Sequence, residues 1–202
     1  MPLIIEIMEK ARKIILSPQE AFNQARSEAL DIKAIYKNFV LVFAAVPALA
    51  SFIGFSLIGI GMMGMGTIRL PILDSFLASV ISYLMNLAGV YIGALIVDFL
   101  APYFSSKPDR VSAFKLVAYS FSAVWAVGIF SLIPALSFLG VFGLYSLYLF
   151  YVGAPILMGT PKDKLLAYVV SVLIAGLIIA VVMNLILGQL IYAPLFSRMM
   201  VY

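Results

Sequence analysis

The sequence contains neither cysteine nor histidine among its 202 residues. This absence excludes disulfides, a thiol nucleophile, a zinc site built from Cys and His, an axial haem histidine and a Ser–His dyad. No GxxxxGK[ST] phosphate-binding loop occurs either. We therefore expect no catalytic residues, no metal and no cofactor, and we expect that the protein is not an enzyme.

Charged residues are also scarce. They make up 11 % of the chain, against 64 % hydrophobic residues, and the mean hydropathy is +1.14. Soluble domains are about one quarter charged, so the excess of apolar surface indicates contact with lipid, and the same composition excludes disorder. The net charge is +4, but the basic residues border apolar segments instead of forming a patch. This arrangement favours membrane orientation and anionic lipid over nucleic-acid binding.

Five apolar segments are long enough to cross a hydrocarbon core of about 30 Å, which takes about 20 helical residues. They are residues 39–60, 76–100, 111–132, 136–158 and 165–187. The third and fourth are separated only by a predicted turn near Ile133 and Pro134. The predicted fold class is all-α: a polytopic membrane protein with a five-transmembrane-helix bundle (residues 38–202) and an N-terminal amphipathic, cytoplasmic helical arm (residues 1–37).

The basic residues predict the orientation of these spans. Eleven of the thirteen lysines and arginines lie in the N-terminal arm, around the second loop or in the fourth loop. Only Arg69 and Arg198 fall on the other side. Because cytoplasmic loops carry the excess of Lys and Arg, we expect a cytoplasmic N-terminus and an external C-terminus, in the cell (plasma or inner) membrane.

The arm begins with an amphipathic pattern. Apolar residues recur at helical spacing, with charged residues on the opposite arc. The apolar positions are Ile4, Ile7, Met8, Ala11, Ile14 and Ile15. Such a helix either lies among lipid headgroups or packs on the ends of the spans, and the pattern leaves both open.

A second helix is predicted from Pro18 to about Leu30. Ser17 and Glu20 form a capping-box pattern, and Pro18 suits the first helical position. Asp31 is predicted to cap a further helix that leads into the first span. The arm is the only sizeable polar segment, so a cytoplasmic protein partner would be expected at residues 1–37.

Asp98 and Lys115 are the most notable charges within the spans. Asp98 precedes the end of the second span and Lys115 follows the start of the third, so both are expected at a similar depth. An ion pair would lower the cost of burying either charge. The pair is predicted to be either a structural clamp or part of a proton or cation relay or gate.

Further polar residues lie deeper in the spans. They are Asn86, Tyr119, Tyr145, Tyr148 and Asn184. These side chains are expected in the bundle interior, where they either form interhelical hydrogen bonds or line a polar route.

Proline and glycine predict irregular positions in the spans. Pro47, Pro134 and Pro155 are predicted helix breaks. Gly89 with Gly93, and Gly176 with Ala180, are spaced for close helix packing. The loop at residues 59–66, which holds three methionines, is predicted to be a flexible apolar loop, with a copper(I) site as the alternative.

Several stretches of this sequence resemble the Yip1 family, and specifically its prokaryotic members. They are ILSP at 15–18, IVDFLAP at 96–102, KLVAYS at 115–120, IPAL at 133–136, LYSLYL at 144–149, GAP at 153–155 and PKDK at 161–164. The resemblance implies five spans, a cytoplasmic N-terminus and a short or absent outer tail. Eukaryotic relatives act in ER and Golgi traffic and bind Rab-type GTPases, through a much longer cytoplasmic part than this chain has.

Two functions follow as expectations. The first is a non-enzymatic membrane protein that organises the membrane or recruits a partner at its cytoplasmic face through residues 1–37. The alternative is a small oligomeric channel or transporter with a polar path near Asp98 and Lys115. A five-helix chain is small for transport, so this alternative would require a homo-oligomer.

Overall fold

The computed structural model describes residues 2–62, 66–187 and 189. Helices dominate it, and five of them are long and apolar enough to cross a membrane. They are Ile32–Ile58, Ile72–Phe104, Arg110–Leu132, Pro134–Met158 and Lys162–Ile186. The all-α, five-span prediction is thus confirmed, while the boundary between arm and membrane domain at residue 37 stays a prediction.

The arm consists of two helices, α1 (Pro2–Leu16) and α2 (Pro18–Ser27). Ser17 precedes α2, but its side chain makes no capping hydrogen bond, so the predicted capping box is wrong. The helix also ends three residues earlier than predicted. Asp31 does cap the next helix as predicted, because its Oδ1 accepts a hydrogen bond of 2.7 Å from the Ala34 amide.

The first span is made of four consecutive pieces. They are α3 (Ile32–Ile35), a π-helical turn (Tyr36–Val40), α4 (Leu41–Ile53) and a second π-helical turn (Gly54–Ile58). Pro47 lies inside α4, and the carbonyl of Pro47 accepts a hydrogen bond of 2.7 Å from the Ser51 hydroxyl. Two short antiparallel strands, β1 (Ile60–Met62) and β2 (Gly66–Ile68), follow this span.

The remaining spans are α5 (Ile72–Leu100) with a 3₁₀ turn (Ala101–Phe104), α6 (Arg110–Val127), α7 (Tyr145–Met158) and α8 (Lys162–Leu187). Two 3₁₀ segments, Gly128–Leu132 and Pro134–Leu144, join α6 to α7. The chain reverses at Ile133, whose backbone is extended, so the turn lies where it was predicted. Pro47 and Pro155 lie inside α4 and α7 instead of breaking them, so these two predicted breaks are wrong. Pro134 does follow the break at Ile133, as predicted.

Helix α6 is at the centre of the bundle. Eleven of its residues are buried, including Trp125 and Tyr119. Helices α4, α5 and α7 pack around it, and the arm packs against the half of α6 that begins at Arg110. We call this side of the bundle the arm end. It contains the start of α6 and α8 and the end of α5 and α7.

Two sequence predictions fall outside the described residues. The methionine-rich loop lies there in part, at residues 63–65, and the external C-terminal tail with Arg198 lies there as well. Most of the described part of that loop belongs to the paired strands β1 and β2, so the prediction of a flexible loop is wrong there.

Candidate functional site

Most of the described apolar stripe of α1 packs against protein, although Met8 is 63 % exposed. Ile7, Ala11 and Ile14 are at most 4 % exposed, whereas Glu9 and Arg12 on the other arc are exposed. Of the two arrangements that the sequence left open for this helix, the structure shows packing on the spans. The arm is therefore part of the folded core and not a separate surface helix.

Helix α2 fits into a notch on α7. Phe22 is completely buried, and its ring lies 2.8 Å from the position that a Cβ on Gly153 would take. The Cδ1 atom of Leu116, in α6, lies 2.7 Å from the same Cβ position. Any side chain at Gly153 would push against these two residues, so glycine permits the close approach of arm and bundle.

Lys115 binds the carboxyl end of α2. Its Nζ donates hydrogen bonds to the carbonyl oxygens of Ala25 at 2.7 Å and Glu28 at 2.6 Å, and the residue is 4 % exposed. The last carbonyls of a helix lack partners within the helix and carry partial negative charge. The Lys115 ammonium therefore satisfies the carboxyl end of α2 and ties the arm to the middle of the bundle.

The predicted pairing of Asp98 with Lys115 is wrong. Asp98 Oδ2 lies 3.6 Å from Arg110 Nε, at the first residue of α6. Because α5 and α6 run antiparallel, Asp98 is level with the start of α6, and Lys115 lies more than one turn further in. Lys115 faces the arm, which supplies carbonyl groups in place of the carboxylate.

A second ionic contact reinforces the arm. Lys10 Nζ donates to Glu28 Oε2 at 2.6 Å and lies 4.8 Å from the centre of the Tyr119 ring. Burial disfavours the ammonium, but Tyr119 and Glu28 together raise the pKa of Lys10 above its usual value. Glu28 thus meets two lysines, Lys10 through its carboxylate and Lys115 through its backbone carbonyl. We call Lys10, Glu28, Lys115 and Tyr119 the arm lock.

Tyr145 contacts the turn between the two arm helices. Its hydroxyl donates a hydrogen bond of 2.8 Å to the Ile15 carbonyl, and its ring lies 5.3 Å from that of Tyr148. Tyr145 is the first residue of α7, thirteen residues from the end of that helix at Met158. The turn between α1 and α2, which we call the arm turn, therefore lies about 20 Å along α7 from the side of the bundle that we call the arm end.

The predicted polar residues separate into two groups. Tyr119 and Tyr145 contact the arm, whereas Asn86 and Asn184 line a cavity on the opposite side of α6. Each asparagine Nδ2 donates to a carbonyl of its own helix: Asn86 to Ser82 and Asn184 to Ala180. The structure does not bring the five residues into one route. The prediction that all five lie in the bundle interior is also wrong, because Tyr145, Tyr148 and Asn184 are exposed.

Tyr145 makes one of the predicted interhelical hydrogen bonds, from α7 to Ile15 of α1, and tyrosines that were not predicted make others. Tyr36 donates to the Leu87 carbonyl at 2.6 Å, and Tyr168 donates to the Val97 carbonyl at 2.6 Å. Tyrosine in an apolar span was the available signal, since a buried hydroxyl needs a partner.

Short hydrogen bonds join the loops at the arm end. Ser106 Oγ donates to Thr160 Oγ1 at 2.8 Å, and the Lys107 amide donates to the Met158 carbonyl at 2.8 Å.

Asp109 caps α6 by accepting from the Ser112 amide at 2.9 Å. Burial opposes the Asp109 charge, but hydrogen bonds from Ser112 and the nearby Lys115 hold its pKa below the usual value.

The fold and the arm define a class of multi-pass membrane proteins with five apolar helices and a helical N-terminal segment. The sequence model of the Yip1 domain matches residues 12–183, so the chain belongs to the Yip1 family. It is similar to the inner membrane protein YohC of Escherichia coli K12, with 27 % identity over 149 residues that cover 71 % of this chain and 76 % of the relative. YohC of Escherichia coli O6:H1 strain CFT073 matches with the same values. No solved structure matches this chain.

Proposed function

We propose that this protein is a non-enzymatic organiser of the bilayer, which shapes the cytoplasmic leaflet through its docked arm. In this proposal it lies in the inner (plasma) membrane with the arm in the cytoplasm and the C-terminus outside. The distribution of basic residues and the description of the YohC relatives as inner membrane proteins support that placement.

The outer surface of the arm supports the proposal. Glu9, Arg12, Lys13 and Glu20 are exposed on it. Charges at the centre of a bilayer cost about 2.5–3.5 kcal/mol each, even on the lowest scale. The charged part of this face therefore lies in water or headgroups, while Met8 and Leu16, which are 63 % and 67 % exposed beside it, face the adjoining lipid chains. The edge of the hydrocarbon thus follows the arm to its turn, about 20 Å from the arm end of α7.

The opposite side of the bundle is apolar close to the arm end. Phe99, next to the last residue of α5, and Leu166, in the second turn of α8, are each 67 % exposed. Exposed apolar side chains at these positions indicate that lipid chains reach that level. The edge of the hydrocarbon is thus displaced beside α7 relative to α5 and α8, by a distance comparable with one leaflet.

This asymmetry is the observation that carries the proposal. The cytoplasmic edge of the hydrocarbon would lie at different depths on two sides of one small protein. The bilayer must then thin or bend next to the protein. Several copies placed side by side would add these local distortions, and the exposed arm would remain available to a protein partner.

Single-cysteine labelling tests the asymmetry, because the chain has no native cysteine. In vesicles, Glu20→Cys near the arm turn should react with a membrane-impermeant maleimide, while Leu166→Cys should be protected. Leu166→Cys is the matched control, since it lies much nearer the arm end of its helix. Equal protection at both positions would refute the displaced leaflet.

A channel or transporter near Asp98 and Lys115 finds less support. The two residues face different partners, and Lys115 is enclosed by the arm. Asn86 and Asn184 are separated from the arm lock by α6.

A further inference from the structure

A cavity of about 470 Å³ lies between α5, α6, α7 and α8, on the side of α6 opposite the arm. Its walls are mainly aliphatic and aromatic, with Phe121 and Phe150 among them. Along α5 it extends from Ile96 to Ser82, which corresponds to about 21 Å of helix. Its volume is within the usual range of ligand sites, about 300–1,000 Å³.

The cavity is closed at the arm end. The Tyr168 hydroxyl donates to the Val97 carbonyl at 2.6 Å, and Leu165, Tyr168 and Val169 are buried. From residue 170 to residue 186, every residue of α8 is exposed or half-buried. Helix α8 is therefore held at one end and leaves the cavity open towards the lipid at the other.

Small residues keep this space open. A Cβ on Gly176 would meet no atom within 4 Å, and a Cβ on Gly89 would meet only Met183 Sδ, at 3.9 Å. The sequence predicted that these glycines bring helices into close contact. Instead they widen the gap between α5 and α8.

Polar groups lie at the open end of an otherwise apolar cavity. Asn86 Nδ2 donates to the Ser82 carbonyl at 3.0 Å, and Asn184 Nδ2 donates to the Ala180 carbonyl at 2.8 Å. Each amide carries two donor hydrogens, and among the described residues the second has no acceptor. Ser120 also lines the cavity, is 3 % exposed, and its Oγ has no hydrogen-bond partner in the described part of the chain.

The shape of the cavity selects between occupants. It is open towards the lipid along α8 and closed at the arm end, so surrounding lipid chains reach it directly. A second copy would have to bring a rigid helix about 10 Å across past α8. A chain of methylene groups bends to follow the irregular walls and makes carbon contacts at about 4 Å.

We propose that this cavity binds one acyl chain of a membrane phospholipid. The methyl end points to the closed end near Val97 and Tyr168, and the ester carbonyl accepts hydrogen bonds from the amides of Asn86 and Asn184. The apolar walls supply dispersion contacts along the chain. This site does not depend on the proposed function of the arm, so either can fail alone.

The single tryptophan provides the test. Trp125 is fully buried, its ring lies 5.9 Å from that of Phe121, and with Asn86 it lines an adjoining cavity near the open end. The full-length protein is placed in nanodiscs that contain brominated phosphatidylglycerol at increasing mole fraction, and Trp125 fluorescence is recorded. We expect quenching that saturates at a low fraction and is stronger for bromine near the ester than near the methyl end.

Two variants complete the experiment. Gly176→Leu fills the cavity and should abolish the saturable quenching, whereas Ala167→Leu, at an exposed position of α8 that lines neither cavity, should retain it. Quenching that rises in proportion to brominated lipid and is the same in Gly176→Leu would overturn the proposal. So would disulfide-linked dimers of Gly176→Cys without saturable quenching, which would make a second copy the occupant.

Discussion

Replacing Lys115 by Met should release the arm while leaving the bundle folded. Methionine retains most of the apolar stem of lysine, but it removes the ammonium that bonds to the carbonyls of Ala25 and Glu28. Because the residue is 4 % exposed, water does not replace these bonds while the arm is docked. The variant therefore isolates the contribution of this contact.

The magnitude follows from the two hydrogen bonds. Hydrogen bonds to a charged group contribute about 1.5–3 kcal/mol each. Loss of the buried charge also removes its desolvation cost, so the net effect is smaller than the full sum. We expect about 3 kcal/mol of arm docking to be lost, which increases arm opening about 100-fold.

Hydrogen exchange measures this opening. Amides of α2 (Pro18–Ser27) should exchange about 100-fold faster in Lys115→Met, whereas those of α7 should keep their protection. Lys164→Met is the control, since among the described residues the Lys164 ammonium makes only an exposed hydrogen bond of 2.8 Å, to Ser105 Oγ. Unchanged exchange in α2 would refute the role of Lys115, and equal acceleration in α7 would show that the whole fold depends on it.

Three further predictions concern the notch and the α6 cap. Gly153→Leu should displace Phe22 and cost about 1–3 kcal/mol by overpacking, seen as faster exchange in α2, while Gly140→Leu should have little effect. Asp109→Ala should lower the thermal stability in detergent by about 1 kcal/mol, since the Ser112 amide loses its cap, and Asp109→Asn should retain most of it. Because the Asp109 pKa is lowered in the folded protein, its contribution should be complete above the ordinary pKa of 3.8 and should disappear as the pH falls through the folded value. A wild-type stability loss in acid that Asp109→Ala fully reproduces would contradict this assignment.

The number of spans could be predicted because hydrocarbon thickness fixes the length of an apolar helix. The reversal at Ile133 followed from the same arithmetic. The start of the first span could be predicted only in part. The sequence predicted the Asp31 cap and a helix leading into the span, but not that this helix runs into the span without a break, with Tyr36 packed on Phe114. Ser17 shows the opposite error: it has a capping pattern, but its backbone conformation does not place the hydroxyl on α2.

The partner of Lys115 was beyond a reading of the sequence. When only the second and third spans are considered, Asp98 is the nearest acceptor for Lys115. A carboxylate can be identified from the residue type, whereas a sequence does not show which backbone carbonyls lack a partner. The actual acceptors lie 90 and 87 residues away, at the end of α2. They became available only when the arm folded back on α6.

Helix α6 connects the two proposals physically. Lys115 and Tyr119 face the arm, while Val117, Ser120 and Phe121 line the cavity, so both sites share one buried helix. Close-packed helices transmit displacement but deform little within themselves. If α6 acts as a rigid wall, Lys115→Met should accelerate exchange in the arm without changing the saturable quenching of Trp125. A simultaneous loss of both would show that α6 moves with the arm, and it would make lipid binding and arm docking two readouts of one equilibrium.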